Sequence, residues 1–167
     1  MAEVKKIYRE SLPALRLIGK RYTDMDRGPL GGFGLKWDEW FQKRYFLPLL
    51  ELKPLPESKG TPIGCMRYND GFEYWTGMFF PEETPVPEGF HYVDIPQGDI
   101  GTCWLYGNSK SGDLYGEYNH GICVGKLMEA GWQIAENSWF FERYVESRFV
   151  VPDEQGKVIL DYCIYLH

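Results

Sequence analysis

One glutamate, Glu142, lies inside the most aromatic run of the chain, residues 138–146. If this run is a β-strand, alternation places Phe140, Glu142 and Tyr144 on one face. Ring faces carry a negative quadrupole and the carboxylate adds a formal charge, so this combination suits a pocket for a lipophilic cation. The alternative is a solvated strand glutamate that pairs with a nearby arginine.

The composition agrees with a ring-lined cavity, although it also agrees with an aromatic core. Aromatic side chains make up 17% of the 167 residues, which is an unusually large share. The net charge of −6 argues against nucleic acid as a direct partner, because phosphate binding requires clustered lysine and arginine. We therefore expect a ligand that is neutral or cationic.

The remaining site chemistry is sparse. The four cysteines are far apart and form no ligand spacing with the three histidines, so the sequence predicts no metal site and no cofactor. Reduced, buried thiols are the simplest interpretation. The first residues lack the apolar segment of a signal peptide, and no run is long enough to span a bilayer. We expect a cytoplasmic protein.

The first half of the chain predicts three strands and one helix. Proline, glycine and asparagine bound the strand-like segments 13–22, 63–68 and 72–80. Asp70-Gly71 predicts a hairpin turn between the last two. Aromatic residues recur at helical spacing over 35–47, and we expect Trp37, Trp40 and Phe41 to pack on a sheet. The Gly-rich segment 24–34 between the first strand and the helix is predicted to be a loop.

The second half repeats this order of elements. It predicts the strands 90–95, 100–106, 139–149 and 157–166, with a helix over 114–130. Two strand-helix-strand-strand modules, about 12–80 and 90–167, form a single α+β domain. We expect an antiparallel sheet with helices on one face and a ligand cleft on the other. In the last strand, Asp161, Cys163 and Tyr165 should point to the side of Glu142.

The segment Phe141-Glu142-Arg143-Tyr144 and the terminal strand 161–166 resemble the GyrI-like small-molecule-binding family. Leu105-Tyr106-Gly107 gives weaker support, and the resemblance spans roughly 12–166. This fold also serves as the effector-binding domain of AraC-type and MerR-type transcription regulators. The chain departs from the family pattern at Tyr165, where a proline is common, and in the long Gly-rich loop.

The resemblance implies two modules related by a pseudo-twofold axis, with a ligand cleft between them. It also implies that Glu142 lies in the cleft and meets cationic, lipophilic ligands. A carboxylate enclosed by rings loses hydration, so we expect its pKa to rise unless a donor or cation compensates, and Tyr144 is the natural donor. Trp75 is predicted as a stacking wall, with plain core packing as the alternative. Trp104 and Tyr165 are further ligand-binding candidates.

Two functions remain open. The chain could sense or sequester a lipophilic, cationic aromatic compound and act on a partner protein. We expect no direct DNA binding, because the residues before Pro13 are too few for a helix-turn-helix. Alternatively, it could be a hydrolase of reactive cyclopropane-bearing compounds, an activity that the resemblance implies, with Glu142 and Tyr144 as its acid–base pair.

Overall fold

The computed structural model describes residues 1–56, 58 and 60–167. It divides into a central unit, Pro13–Gln97, and a terminal unit that combines Met1–Leu12 with Gly98–His167. Each unit is an antiparallel sheet with helices, so the predicted α+β class is confirmed. None of the helices in the described part of the chain has the length and apolar character needed to span a membrane.

The described residues form eight strands, four α-helices and one short 3-10 turn. In chain order these are β1 (Glu3–Leu12), β2 (Leu15–Thr23), the 3-10 turn (Asp24–Asp26), α1 (Gly34–Gln42), α2 (Phe46–Glu51), β3 (Ile63–Tyr68), β4 (Phe72–Pro81), β5 (His91–Ile95), β6 (Gly98–Gly107), α3 (Glu117–Glu129), β7 (Phe140–Arg143), α4 (Glu146–Phe149) and β8 (Val158–Tyr165).

The central unit has the strand order β3-β4-β2-β5, with α1 and α2 against one face. Its core combines Ile18, Met78 and Phe80 from the sheet with Trp40, Phe46 and Leu49 from the helices. Burial of these large apolar side chains is the main favourable term in forming the unit. The strands β2 and β4 approach closely at Gly19 and Gly77, where a Cβ would lie 2.0–2.2 Å from a carbonyl oxygen of the facing strand.

The terminal unit has the equivalent order β1-β6-β8-β7, again fully antiparallel. Its long helix α3 packs on the face that carries Gly101 and Cys103. Leu127 fills the space in front of Gly101, and the Cys103 thiol lies 3.9 Å from the Cys123 carbonyl oxygen. In each unit, therefore, a strand, a helical segment and two further strands follow one another, as predicted.

Several predicted elements have different limits. The strand β1 was not predicted, and β5, which we assigned to the second module, pairs with β2 of the central unit. The single helix over 35–47 is two helices, and Phe41, expected in the core, is 62% exposed. The strand over 139–149 ends at Arg143, and α4 follows it after two residues.

Candidate functional site

The strand β7 holds Glu142 in the interior of the terminal unit. All four residues of this short strand are buried, and the Glu142 side chain is 7% exposed. In the β7–β8 ladder Glu142 lies directly opposite Tyr162, so the two side chains share one face of the sheet. That face is covered by α3, because His120 of α3 hydrogen-bonds the Tyr162 hydroxyl at 2.9 Å.

The expected face of Glu142 was therefore wrong. We predicted that it would share a side with Asp161, Cys163 and Tyr165, but these residues alternate with Tyr162 and lie on the opposite face. The error is one residue of register, which moves every side chain of a strand to the other face. Glu142 consequently lies on the helix-covered side of the terminal sheet.

Burial dominates the electrostatics of Glu142. Loss of hydration raises the pKa of its carboxyl group from 4.5 to about 8, and a hydrogen bond from Tyr144 opposes only part of this effect. Among the residues that the structure describes, no lysine, arginine or histidine forms an ion pair with Glu142. At neutral pH the buried carboxyl therefore holds a proton, as expected for an acid that lacks a cationic neighbour.

Tyr144 lies just beyond the end of β7, and its position depends on its neighbours. Its ring packs edge-to-face against Phe149 of α4, with 4.9 Å between the centroids. Its hydroxyl is hydrogen-bonded to Glu142 and also to Tyr115. Tyr144 is thus the hydrogen-bond donor to Glu142, as expected. Its side chain is positioned by packing against α4, because the strand ends before it.

Tyr115 is a member of the site that the sequence analysis did not find. It precedes Gly116, which caps α3 with a φ of 110°. Burial raises the pKa of the Tyr115 hydroxyl, and the charge of Glu142 adds to the increase. The side chain as a whole is 42% exposed, and Tyr115 is linked to the buried carboxyl through its hydrogen bond with Tyr144. It was missed because we predicted the segment from Leu114 onward as helix.

An aromatic group extends the same face beyond Glu142. The His120 ring lies 4.6 Å from the Phe140 ring and 5.8 Å from that of Tyr162. Burial lowers the pKa of His120, although Glu117 acts in the opposite direction. His120 is therefore a neutral ring at neutral pH. The carboxyl of Glu142 shares its sheet face with Phe140 and Tyr162, which are uncharged.

Trp104 and Tyr165, two predicted ligand-binding residues, lie on the face opposite Glu142. The Trp104 ring lies beneath two cations: Lys6 Nζ is 4.9 Å and the Arg148 guanidinium 4.7 Å from its centroid. Tyr165 is 5% exposed and packs against Gly98. The structure therefore does not bring these two rings together with Glu142.

The face opposite Glu142 also carries a buried ion network. Asp161 is fully buried and accepts hydrogen bonds from Arg143 at 3.0 Å and from Arg148 at 2.7 and 3.1 Å. A second carboxylate, Glu10 of β1, accepts a hydrogen bond of 2.7 Å from Arg143. These charges neutralise one another, so this network is explained by the fold itself.

Trp75, the predicted stacking wall, lies in the central unit and is 3% exposed. Its indole nitrogen donates a hydrogen bond of 2.6 Å to Glu73, which also pairs with Arg67 at 3.1 Å and Arg21 at 3.5 Å. Burial acts to raise the pKa of Glu73, but these donors and charges outweigh it and the pKa is lowered. Gly77, two residues beyond Trp75 on the same strand, faces the backbone of β2.

Among the described residues, neither a group of metal ligands nor one of the two cavities described below includes Glu142. Across residues 1–56, 58 and 60–167, no three His, Cys, Asp or Glu side chains are grouped so that they could hold a metal ion. A cavity of about 430 Å³ lies beside α1 and α2 of the central unit, and another of about 850 Å³ lies around Gly131–Glu136. Neither of these two cavities is lined by Glu142.

Comparison with known proteins gives the fold. No protein-family profile matches the sequence, and no curated protein matches it either. Among solved structures, SAV2435 bound to tetraphenylphosphonium has a TM-score of 0.70 at 12% identity, covering 97% of this chain and 94% of that one. A putative bacterial transcription regulation protein from Staphylococcus aureus MU50 has a TM-score of 0.66 at 14% identity, covering 96% and 97%. The chain has the GyrI-like fold.

The same fold includes a protein that is described as an enzyme. A hydrolase encoded by lin2189 from Listeria innocua has a TM-score of 0.56 at 8% identity, covering 98% of this chain and 92% of that one. The predicted resemblance to the GyrI-like family is thus confirmed at the level of the fold.

Proposed function

We propose that this protein binds a lipophilic, cationic aromatic compound through Glu142, and so senses or sequesters it. One observation carries the proposal: a buried carboxyl group lies among aromatic rings with no basic partner among the described residues. Such a group is costly for the fold, because it neither forms an ion pair nor stays hydrated. A bound cation would supply the missing charge.

The proposed site consists of the Glu142 carboxyl, the hydroxyls of Tyr144 and Tyr115, and the rings on the same face. Aromatic faces attract an organic cation without the hydration that a small metal ion demands. Because the carboxyl is protonated before binding, cation binding displaces its proton. The likeness to SAV2435, which was solved with tetraphenylphosphonium, supports this ligand class. A protein partner that responds to ligand binding belongs to the same proposal.

A thermal-shift comparison tests the proposal with tetraphenylphosphonium and its neutral analogue triphenylphosphine oxide as probes. A ligand at about 100 times its Kd should stabilise the protein by roughly 2.7 kcal/mol, which is readily measured. We expect wild type to respond to the cation and Glu142→Gln to lose that response. Glu136→Gln makes the same substitution at an exposed position and serves as the matched control.

Calorimetry in buffers of different ionisation enthalpy adds a second readout at neutral pH. Wild type should release a proton on binding the cation, and Glu142→Gln should release none. Equal cation responses in wild type and Glu142→Gln would contradict the proposal. No response to the cation in either protein would contradict it as well.

Hydrolysis of a reactive cyclopropane-bearing compound is the second candidate function. The observation that favours it is a protonated carboxyl hydrogen-bonded to a tyrosine, an arrangement that can act as a general acid. The likeness to a protein described as a hydrolase also supports it. Here Glu142→Gln should abolish turnover while leaving the binding of a neutral ligand intact. If Glu142→Gln loses cation affinity and wild type turns over no such compound, hydrolysis is contradicted and binding is the remaining function.

A further inference from the structure

We propose that the groove lined by α1, α2, Gly60 and Pro62 is a second ligand site, and that it binds an amphiphilic carboxylate with an aliphatic chain. The groove belongs entirely to the central unit and encloses about 430 Å³. That volume lies within the range of about 300–1,000 Å³ that is typical of small-molecule pockets.

Among the described residues, the lining of the groove is apolar except at Arg44. Trp40, Phe46 and Met78 form its buried wall, while Leu47 and Leu50 are each 51% exposed at its rim. The two exposed leucines lie beside this buried apolar wall. Covering them with an apolar ligand would remove hydrophobic surface from water and would therefore be favourable. Gly60 also lines the groove, and a Cβ there would lie 3.6 Å from the side chains of Leu50 and Met78.

Arg44 is the only charged residue among the described residues that line this groove. Its guanidinium makes no hydrogen bond or ion pair with any residue that the structure describes, whereas the neighbouring Lys43 is bound to Glu39 at 3.1 Å. A guanidinium offers a fork of donors that matches a carboxylate in a bidentate arrangement. An apolar groove whose described lining carries one guanidinium, without a partner among the described residues, therefore complements a single anionic group attached to an apolar chain.

The backbone conformation of Arg44 is unusual for a residue with a side chain. Its φ of 56° lies in the left-handed region, at the turn that ends α1, where glycine is the usual residue. Glycine would adopt this conformation with less strain, so the turn itself does not account for an arginine. A role for the side chain in holding a ligand does account for it.

Decanoate is the probe, with decanol and decyltrimethylammonium as matched ligands of the same chain length. We expect decanoate to bind to wild type, with shifts of the Arg44 and Leu50 amide signals in ¹H–¹⁵N spectra, and the other two ligands to bind more weakly. Arg44→Gln should weaken decanoate binding by about tenfold or more, because a charged hydrogen bond is lost. Arg44→Lys, which keeps the charge, should lose less.

Two further variants separate binding from folding. Arg44→Gly should raise the melting temperature, because it relieves the left-handed strain, and yet bind decanoate as weakly as Arg44→Gln. The exposed Lys110→Gln in the terminal unit removes a charge that does not line the groove and should bind like wild type. The proposal is overturned if decanoate does not bind, if Arg44→Gln binds it as wild type does, or if decyltrimethylammonium binds equally well. These outcomes are independent of the Glu142 site, which takes the opposite charge.

Discussion

Replacing Glu142 with glutamine should change how the stability of the protein depends on pH. Burial raises the pKa of this carboxyl to about 8 in the folded protein, whereas it keeps its ordinary value of 4.5 in the unfolded chain. Between these two pH values the folded state holds a proton that the unfolded state has released. The free energy of unfolding therefore falls as pH rises through this window and levels off above it.

The size of the effect follows from the separation of the two pKa values. Each pH unit in the window removes about 1.4 kcal/mol. The wild-type protein thus loses roughly 5 kcal/mol through this one carboxyl between pH 4.5 and 8. That loss is a large part of the roughly 5–15 kcal/mol by which domains are stable. Glutamine has nearly the same shape and does not titrate, so Glu142→Gln avoids the loss.

Urea denaturation followed by tryptophan fluorescence, at fixed pH values from about 4.5 to 9, measures the difference. Wild type and Glu142→Gln should be similar at the acid end, and the variant should become more stable by several kcal/mol near pH 8. Glu73→Gln is the internal control, since that buried glutamate has a lowered pKa because of Trp75, Arg67 and Arg21. Its contribution is present above the unfolded pKa and is lost as pH falls, so this variant should be the less stable protein at neutral pH.

The outcome that refutes the reasoning is a difference between wild type and Glu142→Gln that stays constant with pH. A variant less stable than wild type at pH 8 would refute it too. Either result would mean that Glu142 is ionised and compensated in the folded protein. The proposed cation site would then lose the observation that carries it.

Three other substitutions test neighbouring parts of the same unit. Tyr144→Phe removes the hydrogen bond that lowers the pKa of Glu142, so the pH at which tetraphenylphosphonium binding reaches half its maximum should move upward. His120→Gln should flatten the acid limb of the stability curve, because burial lowers the pKa of His120 and the wild type loses stability as pH falls below about 6.5. Asp161→Asn leaves two arginines without their shared buried carboxylate, and urea titration should show a loss of about 3–5 kcal/mol.

The sequence predicted the hairpin between β3 and β4 almost residue for residue, because turn chemistry is local. Asp70 and Gly71 both have positive φ, as the Asp-Gly signal requires. The strand β1 could not be predicted in the same way. Its register shifts between Val4 and Lys6, and this irregularity breaks the alternation of apolar and polar residues on which the prediction depends.

The burial of Glu142 was also predictable, since an acid within an aromatic strand is buried together with the rings beside it. Its face was not predictable, because register depends on which residue of β8 lies opposite, and both faces of that strand carry apolar side chains. The role of Tyr115 could not be predicted from the sequence for another reason. Its contact with the site depends on the conformation of the loop before α3, which has no periodicity to interpret.

The contrast among the buried acids of this chain supports a ligand role for Glu142. In each unit one buried acid lies directly across a strand pair from an arginine: Glu73 faces Arg67, and Asp161 faces Arg143. These pairs occupy corresponding strands, β4 with β3 and β8 with β7, and each acid is neutralised where the fold buries it. Glu142 is adjacent to Arg143 in sequence, but strand alternation directs the two side chains to opposite faces, and among the described residues its carboxyl has the Tyr144 hydroxyl as its neighbour and no basic partner. The fold twice pairs a buried acid with an arginine, whereas Glu142 has no such partner among the described residues, and the cationic ligand that we propose would take that place.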